Sequence, residues 1–435
     1  MVRGDSIRQL WDDLALPELT QTLKLAIGPA KIILAFLLVL LVCGGGVILD
    51  FLTRSVTVLP AQTAALVVPE DSIFRKPDEL AVYLENPSMM REYIRVYREH
   101  SEGRGVFSTL WNFTAARFND AATHLFKLGS SNFFANLANA GYNFWLCVRA
   151  LGWAVIYHPF YSLIYFTYAG LLFCFFGGAI CRCAALEFAR LERPGVGEAL
   201  QFAREQWRPL LTAPLIPLGM LFCIGLVIYL VGLAGNIPWV GELLIGVLIG
   251  SGFLYLLGLA MAILLFAMLT GGWLLFPAVA YEKTTGLDAI GRAFSYVINQ
   301  PLWMIFYAVA ELILGTLFYL FIRLFVFLFL RLTYALLSLG FTGEHIEKLH
   351  RIWAKPTFFH LLQGPMKPAN WSEKAASCLI SFSLLFIVGL VTALVVSYFF
   401  SAITVLYALM RKKVDKVSIT QVEVSLESYR GDSKG

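Results

Sequence analysis

Six stretches of this chain stay apolar for long enough to cross a lipid bilayer as helices. A helix needs roughly 20 apolar residues to span about 30 Å of hydrocarbon. The first stretch, residues 32–49, is set off by Gly28-Pro29 before it and Asp50 after it. The second runs from about Ala150 to Ile180 and the third from about Leu210 to Ala234. The fourth occupies part of Leu243 to Ala278, and the sixth covers residues 375–410. The fifth is over-long: Leu302 to Leu339 is 38 residues, about 57 Å as one helix. Neither Gly nor Pro falls between Gly315 and Gly340 to turn a hairpin. One long helix that leaves the membrane is therefore expected, with Arg323 near the interface. The fold class that follows is all-α: a polytopic helical membrane protein of about six transmembrane helices with a small extracytoplasmic layer.

The remaining segments are 1–31, 50–149, 341–374 and 411–435, around a main bundle at 150–340. Arg3, Arg8, Lys24 and Lys31 precede the first span, and Arg411, Lys412, Lys413 and Lys416 follow the last. Arg182, Arg190, Arg193, Arg204 and Arg208 lie between the second and third. With six spans these three groups share one side, which the positive-inside rule makes cytoplasmic. Both termini are expected there. Residues 50–149 also hold many basic residues, but long segments translocate largely regardless of charge. In that outer segment Thr57 to Val68 is β-branched and reads as a short strand or extended arm. Pro77 to His100 reads as a polar helix. Phe107 to Leu128 mixes Phe107, Trp111 and Phe118 with Arg117 and Asp120, which suits a helix lying in the interface or packed on its own protein. No cleavable signal peptide is expected, because a polar segment precedes the first apolar run and no small-residue cleavage site follows it.

The two inner loops repeat each other at an offset of 90 residues: Glu192-Arg193 matches Glu282-Lys283, Glu198-Ala199-Leu200 matches Asp288-Ala289-Ile290, and Ala203 matches Ala293. Each copy runs from a span through a charged turn into an amphipathic helix and then another span. In the second copy Leu287, Ile290, Phe294 and Val297 recur at helical spacing. An even number of spans separates the copies, so they read as a parallel repeat rather than an inverted one. The pattern of a span, Glu192-Arg193 or Glu282-Lys283, a Gly and an Ala-rich amphipathic helix resembles bacterial multi-pass proteins akin to the membrane domain of glycerophosphodiester phosphodiesterases. The tail Val405-Leu406-Tyr407 before Arg411-Lys412-Lys413-Val414-Asp415 is similar to the ends of such proteins. The resemblance covers Ala150 to about Val417. It implies a helical membrane module in a bacterial cytoplasmic membrane. The phosphodiesterase chemistry of that family sits in a separate soluble domain that this chain has no room for, so no catalytic residue is carried over.

Composition agrees with lipid as the solvent. Hydrophobic residues make up 58% and charged residues 14%, where a soluble domain has about 25% charged. The net charge of +5 is spread beside the spans, as topology signals and not as a nucleic-acid footprint. Lipid, together with other membrane proteins or a second copy, is the expected partner; nucleic acid is not. The seven cysteines fall mostly in or beside apolar runs, where a thiol acts as a small hydrophobe. Cys181 and Cys183 flank Arg182 at a span end, where a lipid modification would fit.

Motifs for chemistry are sparse. There is no phosphate-binding loop, Gly-x-Ser-x-Gly elbow, His-Glu-x-x-His or paired Cys-x-x-Cys. Neither a cofactor nor a metal is expected. Glu344, His345, Glu347 and His350 cluster in one loop, but di-metal bundles need such a motif twice, so an exposed helix is the better reading. Glu311 is the one acid well inside a span. A charge at mid-membrane costs on the order of 3 kcal/mol and usually faces a bundle interior or cavity. Arg323 and Arg331 are its candidate partners, with Arg323 about 120° away around an ideal helix. Gly246 and Gly250, with Gly252 and Gly258, give the fourth span a face for close helix packing, most simply inside the chain. Asn112-Phe113-Thr114 and Asn370-Trp371-Ser372 have glycosylation spacing. A non-catalytic membrane scaffold or assembly component is the leading functional expectation. A transporter or lipid-handling permease with a polar site near Glu311 is the alternative, and an intramembrane enzyme needs a nucleophile–base or metal set that the sequence does not assemble.

Overall fold

The computed structural model describes residues 15–58, 78–85, 87–97, 102–126, 132–341, 346–358 and 369–422. The fold is the expected all-α polytopic membrane fold, with one small β-ribbon among the described residues. Helix α1 (Leu16–Ala26) leads into α2 (Pro29–Thr53). Strand β1 (Val56–Val58) pairs antiparallel with β2 (Glu102–Arg104), Thr57 opposite Gly103, with α3 (Glu79–Glu85) and α4 (Met90–Tyr97) between them. Then follow α5 (Val106–Phe126), α6 (Phe133–Tyr157), α7 (Pro159–Arg190), α8 (Val196–Glu205), α9 (Trp207–Ala234) and α10 (Val240–Gly250). The chain continues through α11 (Phe253–Gly271), α12 (Leu275–Glu282), α13 (Gly286–Asn299), α14 (Pro301–Gly340), α15 (Ile346–Ile352) and α16 (Trp371–Val414). Six helical stretches among the described residues are long and apolar enough to cross a membrane: α2, α7, α9, α11 running on into α12, α14 and α16.

Proline sets where three of these begin. Pro29, Pro159 and Pro301 each stand at the first helical position, where the missing N–H costs nothing and the fixed φ already suits a helix. The residue before each proline is pushed out of the helical region. His158 sits at φ −127°, ψ 56° and Gln300 at φ −138°, ψ 60°. The second span therefore starts at Pro159 and not near Ala150, and residues 133–157 form the separate helix α6. By the same logic the polar helix expected over 77–100 is two helices, broken at Pro87. The fifth apolar stretch is one helix of 40 residues, with nothing inside it to break the ladder. The fourth is not continuous: α10 stops at Gly250, Gly252 turns with φ +79°, and α11 starts at Phe253. The expected arm over 57–68 is strand at Val56–Val58, and beyond that it falls outside the described residues.

Two compact units emerge, one from residues 1–38, 171–323 and 389–435, the other from 39–170 and 324–388. In the first, α7 is packed so closely that small residues are required. A Cβ on Gly177 would come within 2.5 Å of the Phe400 ring, and one on Gly178 within 2.4 Å of Leu210. Ala179, Ile180, Cys181, Ala184, Val279 and Tyr281 are fully buried around them. Cys181 and Cys183 are buried as well, because α7 runs on to Arg190, so the span-end lipid modification has no accessible thiol. Past α16 the chain turns back: Arg190 Nη2 donates to Val422 O (2.8 Å), and Arg411 Nη1 donates to Gln421 O (2.6 Å). The Val422 side chain is buried.

In the second unit Val56, Leu80, Met90, Val106, Trp153 and Tyr161 share one core. Phe107 and Leu110 of α5 are buried while Trp111 and Phe118 are exposed, so α5 packs on its own protein along one face. Asp50 organises the start of α5. Its carboxylate accepts from Phe107 N (2.9 Å), Ser108 N (2.7 Å), Ser108 Oγ (2.5 Å) and Tyr161 OH (2.8 Å). That is a helix N-cap supplied from another helix. A Cβ on Gly105 would fall 2.0 Å from Asp50 Cγ, which is why glycine precedes the helix. Tyr334, Leu349, Trp353 and Leu384 make a second cluster.

Two glycines of α7 should respond with opposite signs. Gly177→Ala pushes into Phe400 and should cost about 1–3 kcal/mol, whereas Gly170 faces open space and Gly170→Ala should gain up to about 1 kcal/mol of helix propensity. Thermal unfolding in detergent reads both, and equal shifts would contradict the packing described.

Candidate functional site

An ionisable group in an apolar helix has to find its partners inside the protein. Among the described residues of the first unit, Glu242 is exposed while Glu187, Glu282 and Glu311 are largely covered, and their surroundings decide whether they form a site. Glu311, on α14, is 5% exposed. Thr22 Oγ1 donates to its Oε1 (2.7 Å), and Tyr398 OH lies 2.7 Å from Oε2 and 2.8 Å from the Glu311 carbonyl. One turn on, Gly315 leaves room for the tyrosine: a Cβ there would meet Tyr398 Cε1 at 2.6 Å. Ser397 Oγ donates to Ala26 O (2.7 Å), and Ala26, Tyr398 and Ala402 pack with Leu23, Leu314 and Phe318. Glu311 is thus the point where α1, α14 and α16 are tied together.

The expected trio of Glu311, Arg323 and Arg331 is not assembled. The carboxylate takes hydroxyl donors and neither arginine, as the 120° offset along one helix dictates for Arg323. Arg323 Nη1 instead donates to Tyr319 OH one turn earlier, with its guanidinium over the Tyr319 ring. Arg331 is partly buried and belongs to the second unit.

The other two acids sit in ion clusters that the sequence did not announce. Glu187 of α7 pairs with Lys31 of α2, which is 1% exposed, and with Arg193 Nε at 3.2 Å. Beside this cluster a cleft of about 310 Å³ opens between Pro29, Cys183, Pro194 and Val196. Glu282 of α12 pairs with Arg292 Nη1 of α13 (2.5 Å) and Arg411 Nε of α16 (3.1 Å), and accepts from Tyr407 OH (2.7 Å). The Arg411 contact is an ion pair whose N–H lacks a hydrogen-bonding angle. Tyr296 of α13 donates to Asp415. Burial first, and then the Asp415 carboxylate, hold the Tyr296 phenol above its ordinary pKa, so it stays a donor at any physiological pH. Arg182 Nη1 donates to Ala280 O (2.7 Å), with its guanidinium over Phe202.

The clusters lie beside the loop repeat without repeating residue for residue: Glu192, the match of Glu282, is exposed, and Glu187 five residues earlier is the paired acid. Helices α8 and α13 start 90 residues apart, at Val196 and Gly286. Their caps share one backbone conformation, Gly195 at φ −71°, ψ 165° and Thr285 at φ −67°, ψ 159°. Each copy holds one acid between a cation of its own loop or amphipathic helix (Arg193 or Arg292) and a cation of the first or last span (Lys31 or Arg411). Helix α1 is a third amphipathic helix leading into a span. Its signal was legible in Leu16, Leu19, Leu23 and Ala26 at helical spacing, but the charges around them masked it.

The Glu347–His350 pair has no metal-like surroundings: His350 Nδ1 is bonded to Tyr334 OH and Glu347 is exposed. Glu344 and His345 lie outside the described residues. Among the described residues no three His, Cys, Asp or Glu side chains converge on a metal-sized site. Gly246, Gly250 and Gly258 pack against nothing within the described chain, since a Cβ on each meets open space. The close contact expected inside the chain is therefore not made there, because α10 and the start of α11 project their surfaces outward. No protein-family profile, no curated protein and no solved structure matches this chain.

The two kinds of acid should separate on neutralisation. Glu282→Gln leaves Arg411 without its countercharge at low exposure and should cost about 3 kcal/mol. Glu311→Gln keeps one acceptor oxygen for its hydroxyl partners and should cost about 1 kcal/mol. Denaturation in detergent micelles distinguishes them; equal losses would mean that Glu282 carries no charge-matching role.

Proposed function

We propose that the membrane helices act as a scaffold or assembly component and carry no reaction themselves. The observation that carries this reading is the bareness of three spans. Almost none of α9, of the α11–α12 stretch or of α14 is buried within the protein in its most apolar window. Gly219, Gly225 and Gly232 on α9, with Gly246, Gly250 and Gly258, would each accept a Cβ without touching a neighbour. In helices that only met lipid tails, so many glycines would cost stability for no contact. Small residues on bare transmembrane faces let another helix approach closely. The buried acids point the same way, since Glu187, Glu282 and Glu311 are taken up in ties between helices.

A transporter reading requires Glu311 to face water or cargo. With both carboxylate oxygens accepting from Thr22 and Tyr398, that reading stands second. The resemblance of residues 150–417 to the membrane module that accompanies glycerophosphodiester phosphodiesterases supports a helical membrane module without a reaction of its own. Both termini are proposed to be cytoplasmic, in a bacterial cytoplasmic membrane, with other membrane proteins or a second copy as partners.

Gly246→Leu with Gly250→Leu should leave the melting temperature of the solubilised chain within a degree or two of the parent. The same pair should weaken its assemblies at least tenfold, read by cross-linking in native membranes. Unchanged cross-linking would remove the scaffold reading. Thiol labelling of single cysteines placed at the two ends should modify both only after permeabilisation; labelling of one end in intact cells would refute the sidedness.

A further inference from the structure

The second unit contains an arrangement that the membrane helices do not use. His158, at the break between α6 and α7, directs its Nε2 to Glu79 Oε2 at 3.0 Å and its Nδ1 to Ser55 Oγ at 3.5 Å. Glu79 is 2% exposed, and its other oxygen accepts from Thr57 N at 3.0 Å. The acid is thus immobilised and takes a proton donor from the ring. With Nε2 carrying the hydrogen toward Glu79, Nδ1 is left as a lone pair facing the serine hydroxyl. This is a nucleophile, a base and an orienting acid in one line.

Each member is held in place. His158 N donates to Ala154 O (2.9 Å), and its ring packs edge-on against Trp153 at 5.0 Å. Ser55 lies in the short bend between α2 and β1, and it is exposed. Arg54 just before it sits at φ 36°, the left-handed residue that closes α2. Gly103 of β2 allows that bend, since a Cβ there would come within 2.6 Å of Arg54 O. Phe51 and Leu52, 73% and 72% exposed, lie at the end of the apolar helix directly before it. A substrate reaching Ser55 is therefore one that partitions beside a membrane span.

We propose that Ser55, His158 and Glu79 form a serine hydrolase site for the acyl ester of a membrane-resident amphiphile, an activity beyond the scaffold reading and independent of it. Ser55 Oγ attacks the ester carbonyl carbon while its proton passes to His158 Nδ1, forming the Oγ–C bond. The tetrahedral centre collapses with cleavage of the bond to the alcohol oxygen, which takes the proton from Nδ1. Water then attacks the acyl-Ser55 ester, gives its proton to Nδ1, and releases the carboxylic acid as Oγ recovers the proton. The sum is ester plus water to acid plus alcohol. The 3.5 Å separation is longer than a transferring hydrogen bond, as is common before substrate binds, and rotation of the exposed Ser55 side chain closes it.

The test uses the full-length chain in nanodiscs and a fluorophosphonate probe, with the adduct mapped by mass spectrometry. The expected result is an adduct on Ser55 that is absent in Ser55→Ala, an exposed position whose change leaves the fold intact. His158→Gln should slow labelling about 100-fold or more, the usual size of a general-base contribution. Hydrolysis of a fluorogenic long-chain fatty-acyl ester in mixed micelles should vanish with Ser55→Ala. No adduct on Ser55, or equal labelling of a folded His158→Gln protein, overturns the site; an adduct without long-chain ester turnover overturns the substrate class. Should His158→Gln fail to fold, Glu79→Gln takes its place, and labelling of that folded variant at the parent rate overturns the role of the base.

Discussion

Charge matching inside an apolar phase is the constraint on which the first unit depends. Lys31, Glu282 and Glu311 are buried and Glu187 is largely covered where they sit, so each helix carrying one is bound to whichever helix carries its partner. Lys31 binds α2 to α7, Glu282 binds α12 to α13 and α16, and Glu311 binds α14 to α1 and α16. Between apolar helices in lipid there is no hydrophobic effect to choose neighbours. A handful of polar contacts and the glycines that allow close approach, such as Gly177 and Gly315, select them instead.

What could be read from the residues alone was whatever depends on local physics. Apolar length set the spans, and Gly28-Pro29 marked where the first of them begins. The lack of any breaker between Gly315 and Gly340 made α14 a single helix. The loop repeat was visible because an amphipathic helix imposes a period on its own sequence. Apolar length alone runs through two breaks that proline imposes: His158-Pro159 interrupts the apolar run that begins near Ala150, and Pro87 divides the polar segment after residue 77.

The polar clusters were illegible for a different reason. Lys31 meets Glu187 and Tyr398 meets Glu311 across long intervals of chain, so no spacing rule connects them. Glu311 stands out as an acid in an apolar run, and the opposite charges nearest in sequence, Arg323 and Arg331, lie on its own helix. The structure supplies neutral hydroxyls from two other helices. Ser55, Glu79 and His158 were equally silent: each is an ordinary polar residue near the end of an element, and only the β-ribbon and the α6–α7 break bring them into line.

The first unit is woven from a beginning, a middle and an end of the chain, and this orders its biogenesis. Glu282 and its loop emerge from the ribosome long before Arg411 and Tyr407, which complete their surroundings. Until the final span has been inserted, that carboxylate has only the half-exposed Arg292 as a cation, and the backbone carbonyls of Gln421 and Val422 have yet to fold back under Arg411 and Arg190. A nascent chain halted anywhere before that point carries an unfinished polar junction within lipid, the kind of defect that insertion chaperones and membrane proteases detect. The last helix thus closes a junction that the earlier helices leave open.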